Sequence, residues 1–451
     1  MHLLTDFLNP GKAFFRNKEY DSQTILTGID SVALYLKEHL VSRSPFIYLF
    51  TSNHLKTILA YFGIIKARRI CVLMDPNIGP LELAEMIADT PPAACIRIDT
   101  TSEAYDFAKE IELRNQPWNC NQDGDLVDVC TMVYTAADDG FAKAAMLTHD
   151  NMVADAKGVG HAVNPGSGTI SCGLGNFQHL YPLQVGVIAP FLFKGDIYID
   201  ELATITNVSS IAANIERLGV THLYTIPAIY YLLSKVNTIF KKAKPLRNVV
   251  SGGYKLSEDI FRRFLKATGK EIHEGYGLTE GAPVCTWTYD RVKPQSVGVS
   301  FSCCEIRVFS ESGSAVESGN TGEIRIKGTN IMKGYYRRQH ATHLAFADGW
   351  LRTGDIGYLD TDGYVYLTGM IKKMINYGGK KVYPAEVERL VRTNENVDDI
   401  EVFGVEDKLF GQSVCAKIRL KENTPAAREE LLAWCRGALS KYKVFSKAVF
   451  E

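Results

Sequence analysis

Short runs of β-branched and aromatic residues alternate along this chain with longer amphipathic stretches. "PFIYLF" at 45–50, "RICVLMD" at 69–75, "AACIRID" at 93–99, "THLYTIP" at 221–227 and "NVVSGG" at 248–253 have the length and composition of buried strands. The segments between them read as helices. In "LSEDIFRRFLKATGK", 256–270, Ser257 is placed to cap, acids follow in the first turn, and Gly269 stands near the end. Strands alternating with helices predict largely parallel α/β sheets. Beyond about residue 284 the pattern changes. From Cys304 to Gly328 two alternating runs flank a Gly/Ser/Asn-rich connection, and 355–369 places two short runs around an Asp-Gly turn, which predicts hairpins. A helix over 383–394, two strands and a last helix through "PAAREELLAWCRGALSKY" then form a small α+β unit. The expected division is a large part, 1–369, and a small part, 370–451, joined near 369–374.

Composition narrows the class. In a chain of 451 residues, 50 Lys plus Arg against 51 Asp plus Glu leave a net charge of −1, with no excess of basic groups for nucleic acid or an anionic membrane. No stretch of about 18 apolar residues predicts a membrane span, and the amino terminus lacks a secretory pattern, so a cytosolic protein is expected. Ten scattered cysteines without a CxxC pair read as reduced core thiols.

Three stretches could carry chemistry. "YTAADDGFAKAAMLTH", 134–149, joins a strand, a small-residue loop and Lys143 ahead of a helix start, a recipe for phosphate. Its two aspartates, Asp138 and Asp139, leave a solvated turn equally open. "EGYGLTE", 274–280, sets Tyr276, Thr279 and Glu280 at a Gly-rich strand end, where ligands of open α/β sheets bind; Thr and Glu suit a phosphate oxygen and magnesium. In "DGWLRTGDIGYLD", Asp355 is suited to accept both hydroxyls of a ribose.

"YGLTE", "GWLRTGD" and "GGKKVYPAEVE", in that order, resemble the adenylate-forming superfamily: acyl- and aryl-CoA ligases, peptide-synthetase adenylation domains and beetle luciferases. The resemblance runs from about residue 20 onward. It implies a large N-terminal region of two α/β subdomains plus a small β-barrel, and a small mobile α+β C-terminal domain. It also implies a reaction in two steps. ATP and Mg2+ convert a carboxylic acid to an acyl-adenylate, and the thiol of CoA, or of an acyl or peptidyl carrier protein's phosphopantetheine, then displaces AMP.

Carried over by position, the resemblance assigns Tyr276 to adenine, Thr279, Thr135 and Lys143 to phosphate, Glu280 to magnesium and Asp355 to ribose. Gly252, Gly253 and Tyr254, with Glu274 and Gly275, line the nucleotide pocket. His179 and Gly281 border the acyl group, Gly378 and Gly379 approach the thiol acceptor, and Lys373 is the hinge.

Three departures fall where that chemistry is densest. The family's phosphate loop is rich in Ser, Thr and Gly, whereas here Ala136, Ala137, Asp138 and Asp139 replace hydroxyl donors and a glycine. One carboxylate about 4 Å from a phosphate charge costs about 4 kcal/mol at an effective dielectric of about 20. Metal ligation by these acids would invert that penalty. Met370 stands where the family has an arginine on ribose, and the sequence stops before the motif that carries the family's adenylation lysine. Two readings follow: a working acid–thiol ligase, or an impaired homologue that binds a ligand or partner or performs only thiol transfer.

Overall fold

The computed structural model describes residues 2–101, 107–114, 126–135, 140–236, 245–288, 292–371, 374–407 and 410–451. Asp138, Asp139 and Lys373 therefore lie outside the described residues. The strands expected from the apolar runs form at Phe46–Phe50, Ile70–Met74, Ala94–Arg97, His222–Thr225 and Asn248–Ser251. Phe46–Phe50 and Ile70–Met74 are buried at every position, as befits parallel strands covered on both faces.

Two large sheets carry the bulk of the chain. One has seven strands, with Phe46–Phe50 between Ile70–Met74 and Ala94–Arg97, and Val129–Thr135 beyond Ile70–Met74. The other has nine, with Ile170–Leu174, His222–Thr225, Asn248–Ser251 and His273–Tyr276 as adjacent parallel neighbours. Helix Leu55–Lys66 is buried on all sides except at its last residue, and its "LKTILAYFGIIK" sequence is apolar there but for Thr57 and Lys56, whose ammonium pairs with Glu110 at 2.5 Å. Helix Glu258–Thr268 takes the expected ends: Ser257 accepts the Ile260 amide, and Gly269 closes the helix at φ +70°.

The hairpin grammar of the second half is realised in two five-stranded sheets. Cys304–Phe309, Gly322–Gly328, Trp350–Leu359 and Val365–Met370 belong to the first. Ile375–Tyr377, Lys380–Val382, Val397–Asp407 and Gly411–Leu420 form the second, where Lys447–Phe450 adds a parallel strand. This last sheet and helices Pro384–Val391 and Pro425–Ala438 enclose their own apolar cluster, including Val387, Leu390, Val402, Ile418 and Leu431. Nine cysteines among the described residues are free thiols. Among those residues no helix is long and apolar enough to cross a membrane.

Candidate active site

Four adjacent parallel strands of the nine-stranded sheet open at their carboxyl ends onto one cavity of about 870 Å³. Gly175 follows the first of them, Ile226 the second, Gly252 and Gly253 the third, and Gly277 to Thr279 the fourth, and all line the cavity. That edge is where an open α/β sheet leaves backbone groups available to a ligand. The opposite wall comes from the last sheet through Gly378, Gly379 and Lys380, and from the short turn Lys441–Lys443 through Tyr442 and Lys443.

Glycine at 252 and 253 is dictated by space. A Cβ on Gly252 would stand 2.9 Å from the Tyr181 ring, and Gly253 has φ +88° with Ile226 at 3.2 Å. Gly378 and Gly379 make the two-residue turn between Ile375–Tyr377 and Lys380–Val382, both at positive φ, as a tight hairpin requires. The Gly379 amide donates to Asn376 Oδ1 at 3.0 Å, and Tyr377 stacks on Phe410 with centroids 4.9 Å apart. This turn faces the Gly253 backbone, since a Cβ built on Gly253 lies 3.8 Å from Gly379 Cα. Tyr254 flanks the turn, and its hydroxyl accepts the Ala228 amide at 2.8 Å.

The expected phosphate and metal groups do converge. Thr135 and Lys143 are register partners at the mouth of the Val129–Thr135/Lys143–Thr148 hairpin. Thr135 Oγ1 donates to Glu280 Oε1 at 3.4 Å, and the Lys143 ammonium sits 4.8 Å from the Tyr335 ring centroid. Tyr335 was not anticipated: its hydroxyl donates to Glu280 Oε1 at 2.7 Å, from a short strand that pairs with Lys143–Thr148. Thr135 and Thr279 face the cavity, with Glu280 buried directly behind.

The helix expected after Lys143 begins at His149, where Thr148 accepts the Asn151 amide, and the strand Lys143–Thr148, paired with Val129–Thr135, was not anticipated.

On the nucleotide side Gly275, Tyr276 and Thr279 line the cavity, and the Tyr276 hydroxyl donates to Asp355 Oδ2 at 2.6 Å. Burial raises the Asp355 pKa, while Lys381 and the Tyr276 hydrogen bond work against the rise. Met370 is the register partner of Asp355 and is 44% exposed, which puts a thioether where the family has an arginine. His179 lines the cavity beside Gln178, 3.3 Å away, and burial with the nearby Lys380 lowers its pKa to about 4, so it is neutral at physiological pH.

Six expected residues do not line the cavity: Lys143, Glu280, Asp355 and Tyr254 sit behind the lining residues Thr135, Tyr276 and Gly379, whereas Glu274 and Gly281 are turned to other partners. Glu274 shares a strand face with Tyr276 but lies deeper, where its carboxylate accepts the Leu256 amide at 3.1 Å; burial pushes its pKa to about 7. Gly281 turns its carbonyl to Asn330 Nδ2 at 2.9 Å, and a Cβ there would strike Cys285 Sγ at 2.6 Å, so its role is packing of the Thr279–Gly281 turn.

The chain matches the AMP-binding enzyme family over residues 13–336 and the AMP-binding enzyme C-terminal domain over 386–450. It is 30% identical over 406 residues to a feruloyl-CoA synthase from an Amycolatopsis species, covering 87% of this chain and 82% of that protein. Against a long-chain-fatty-acid–CoA ligase of Bacillus subtilis the figures are 26% over 486 residues, 95% and 86%. A solved o-succinylbenzoate CoA synthetase double mutant from Bacillus subtilis, bound with a product analogue, shares the fold at a TM-score of 0.85 and 21% identity, covering 99% of this chain and 94% of that one. A malonyl-CoA ligase ternary product complex does so at 0.82 and 22%, covering 100% and 97%. With its sheet-edge cavity and its ordered motifs, this chain belongs to the AMP-binding, adenylate-forming enzyme family.

Proposed function

We propose that this protein is an ATP-dependent acid–thiol ligase that activates a carboxylic acid as its acyl-adenylate and transfers the acyl group to CoA. The observation that carries the reading is the single cavity in which the Tyr276–Thr279 edge, the Ile226–Gly253 wall and the Gly378–Gly379 turn meet. In the first step the substrate carboxylate attacks the α-phosphorus of MgATP, and pyrophosphate leaves. Thr135, Thr279 and Lys143 hold phosphate oxygens, Glu280 takes magnesium, and Asp355 accepts the ribose hydroxyls. In the second step the acceptor thiolate attacks the acyl carbon and AMP departs, with the thiol arm passing the Gly378–Gly379 turn. Small residues there leave room for a slender chain. A neutral His179 beside the acyl pocket adds no charge to repel or bind the acid.

The acid is an apolar aryl or acyl carboxylate, in keeping with a wall that includes Leu174, Tyr181, Ile226, Ile229 and Leu232. CoA is the acceptor of choice because the named relatives are CoA synthases and ligases; a carrier-protein phosphopantetheine presents the same arm. The division into 1–369 and 370–451, and cytosolic residence, accompany this reading.

The test is a panel of hydroxycinnamic, benzoic, medium-chain and long-chain acids, each incubated with ATP, magnesium and CoA. Acid-dependent pyrophosphate and the matching acyl-CoA by mass are expected, both lost without magnesium. Pyrophosphate from no acid in the panel, by a folded protein, would favour the second reading, a binding homologue, which rests on Asp138, Asp139 and Met370.

A further inference from the structure

The contact between helix Pro80–Asp89 and the last sheet's unit is built around one ammonium shared by two carboxylates. Lys443 Nζ pairs with Glu82 and, at 2.7 Å, with Glu386 of helix Pro384–Val391. All three side chains are 3% exposed. Glu82 Oε2 also accepts the Ser440 amide at 2.9 Å, the Ser440 hydroxyl at 2.5 Å and the Gly79 amide at 3.3 Å. The surfaces fit closely, since a Cβ on Gly79 would come within 2.4 Å of the Ala438 carbonyl. Two more pairs flank the cluster: Lys380 to Asp75 at 2.9 Å, and Arg389 to both Glu85 oxygens at 2.7 and 2.8 Å.

We infer that Glu82, Lys443 and Ser440 form a latch that holds the Gly378–Gly379 turn in the acyl cavity, making them positioning residues for thiol transfer and not for adenylation. The inference rests on the ligase reading for its chemistry, though not for its geometry. Lys380, which follows the turn directly, is tied to Asp75 on the same side of the contact, so displacing the latch displaces the turn. Apart from the Gly79 amide, the donors that Glu82 receives come from residues 440 and 443, and any rotation of the small unit withdraws them together.

The charge count suits a contact that must also open. Two carboxylates face one ammonium, and Glu386 Oε2 has no hydrogen-bond partner among the described residues. Burial raises the Glu386 pKa against the pull of Lys443; burial also works to lower Lys443 and is overcome by Tyr442, Glu386 and Glu82, which keeps the ammonium charged. Desolvation of such a cluster cancels much of its attraction, so it selects one geometry without making that geometry deep.

The test separates the two half-reactions. In Glu82→Gln, transfer from preformed acyl-adenylate to CoA should fall about tenfold or more, with acid-dependent ATP–pyrophosphate exchange within about twofold of the parent. Glu82→Asp should recover part of the loss. Ser440→Ala, which removes one donor and no charge, should shift transfer in the same direction by less, and it decides the matter if Glu82→Gln does not fold. Hydrogen exchange supplies a readout independent of activity: amides of 79–89 and 375–382 should lose protection together while the nine-stranded sheet keeps its own. Equal loss in both half-reactions, or unchanged protection of 375–382, overturns the latch. An inactive parent protein would remove the ligase reading, and the exchange data would still decide the latch.

Discussion

Tyr276 and Asp355, 79 residues apart, are joined by a hydrogen bond from the tyrosine hydroxyl to Oδ2 at 2.6 Å. The carboxylate proposed to accept a ribose is thus oriented before any nucleotide arrives. Asp355→Asn removes the charged acceptor and should weaken AMP binding by about 10- to 100-fold, the worth of hydrogen bonds to a charged group. Because burial raises the Asp355 pKa, AMP binding should fail on acidification above the ordinary carboxylate range. Tyr276→Phe keeps the ring but deletes a bond that lowers that pKa, so the acid limb should move to higher pH. Fluorescence titration across pH 4.5–8 checks both shifts, and an unmoved limb in Tyr276→Phe counts against the linkage.

Tyr335 bears on Glu280 in the same way. With its hydroxyl 2.7 Å from Oε1, Tyr335→Phe leaves the buried carboxylate with the longer Thr135 contact alone among the bonds described above. About a tenfold higher magnesium requirement for ATP binding is expected, from loss of one charge-assisted bond. Titrating magnesium at fixed ATP by calorimetry measures it, and an unchanged magnesium requirement would count against the Tyr335–Glu280 link.

Gly379 has φ +88°, and a Cβ there would stand 3.8 Å from Ile226 and Tyr254. Space is adequate but the backbone angle is not, so Gly379→Ala should cost about 1 kcal/mol of stability. It should also slow acyl transfer to CoA more than adenylate formation. Equal slowing of both steps would place the turn outside the thiol path.

Glu274 makes stability depend on pH. Its carboxyl ionises near 7 in the folded chain because of burial, against about 4.5 unfolded. The folded state therefore holds the extra proton between those values, and stability falls as pH rises through that window. Glu274→Gln, which can still accept the Leu256 amide, should stabilise the fold at pH 8 by on the order of 2 kcal/mol, read as a higher melting temperature, and leave stability nearly unchanged near pH 4. The same shift at both pH values would refute a charge origin.

The strands Phe46–Phe50, Ile70–Met74, Ala94–Arg97, His222–Thr225 and Asn248–Ser251 and the order Tyr276, Thr279, Glu280, Asp355 were legible in the sequence because each rests on local pattern or close spacing. Tyr335 was not, since its meeting with Glu280 depends on pairing a two-residue strand with Lys143–Thr148, which leaves no periodic trace. Glu82 and Lys443 stand 361 residues apart and carry no motif. Glu274 was misplaced for another reason. Strand alternation sets it on the same face as Tyr276 but says nothing of depth, and only Tyr276 reaches the carboxyl edge. The helix start at His149 was legible, but the strand "KAAMLT" before it was not, because that run shows no alternation of apolar and polar positions and is fixed by pairing with "VCTMVYT".

ATP binding in the presence of Asp138 and Asp139 bears most directly on the ligase reading. Calorimetric titration of the folded protein with ATP, with and without magnesium, needs no knowledge of the acid. Micromolar binding that depends on magnesium is the expected result. No heat at millimolar ATP would mean that "TAADDG" no longer holds phosphate and that the protein is not a ligase.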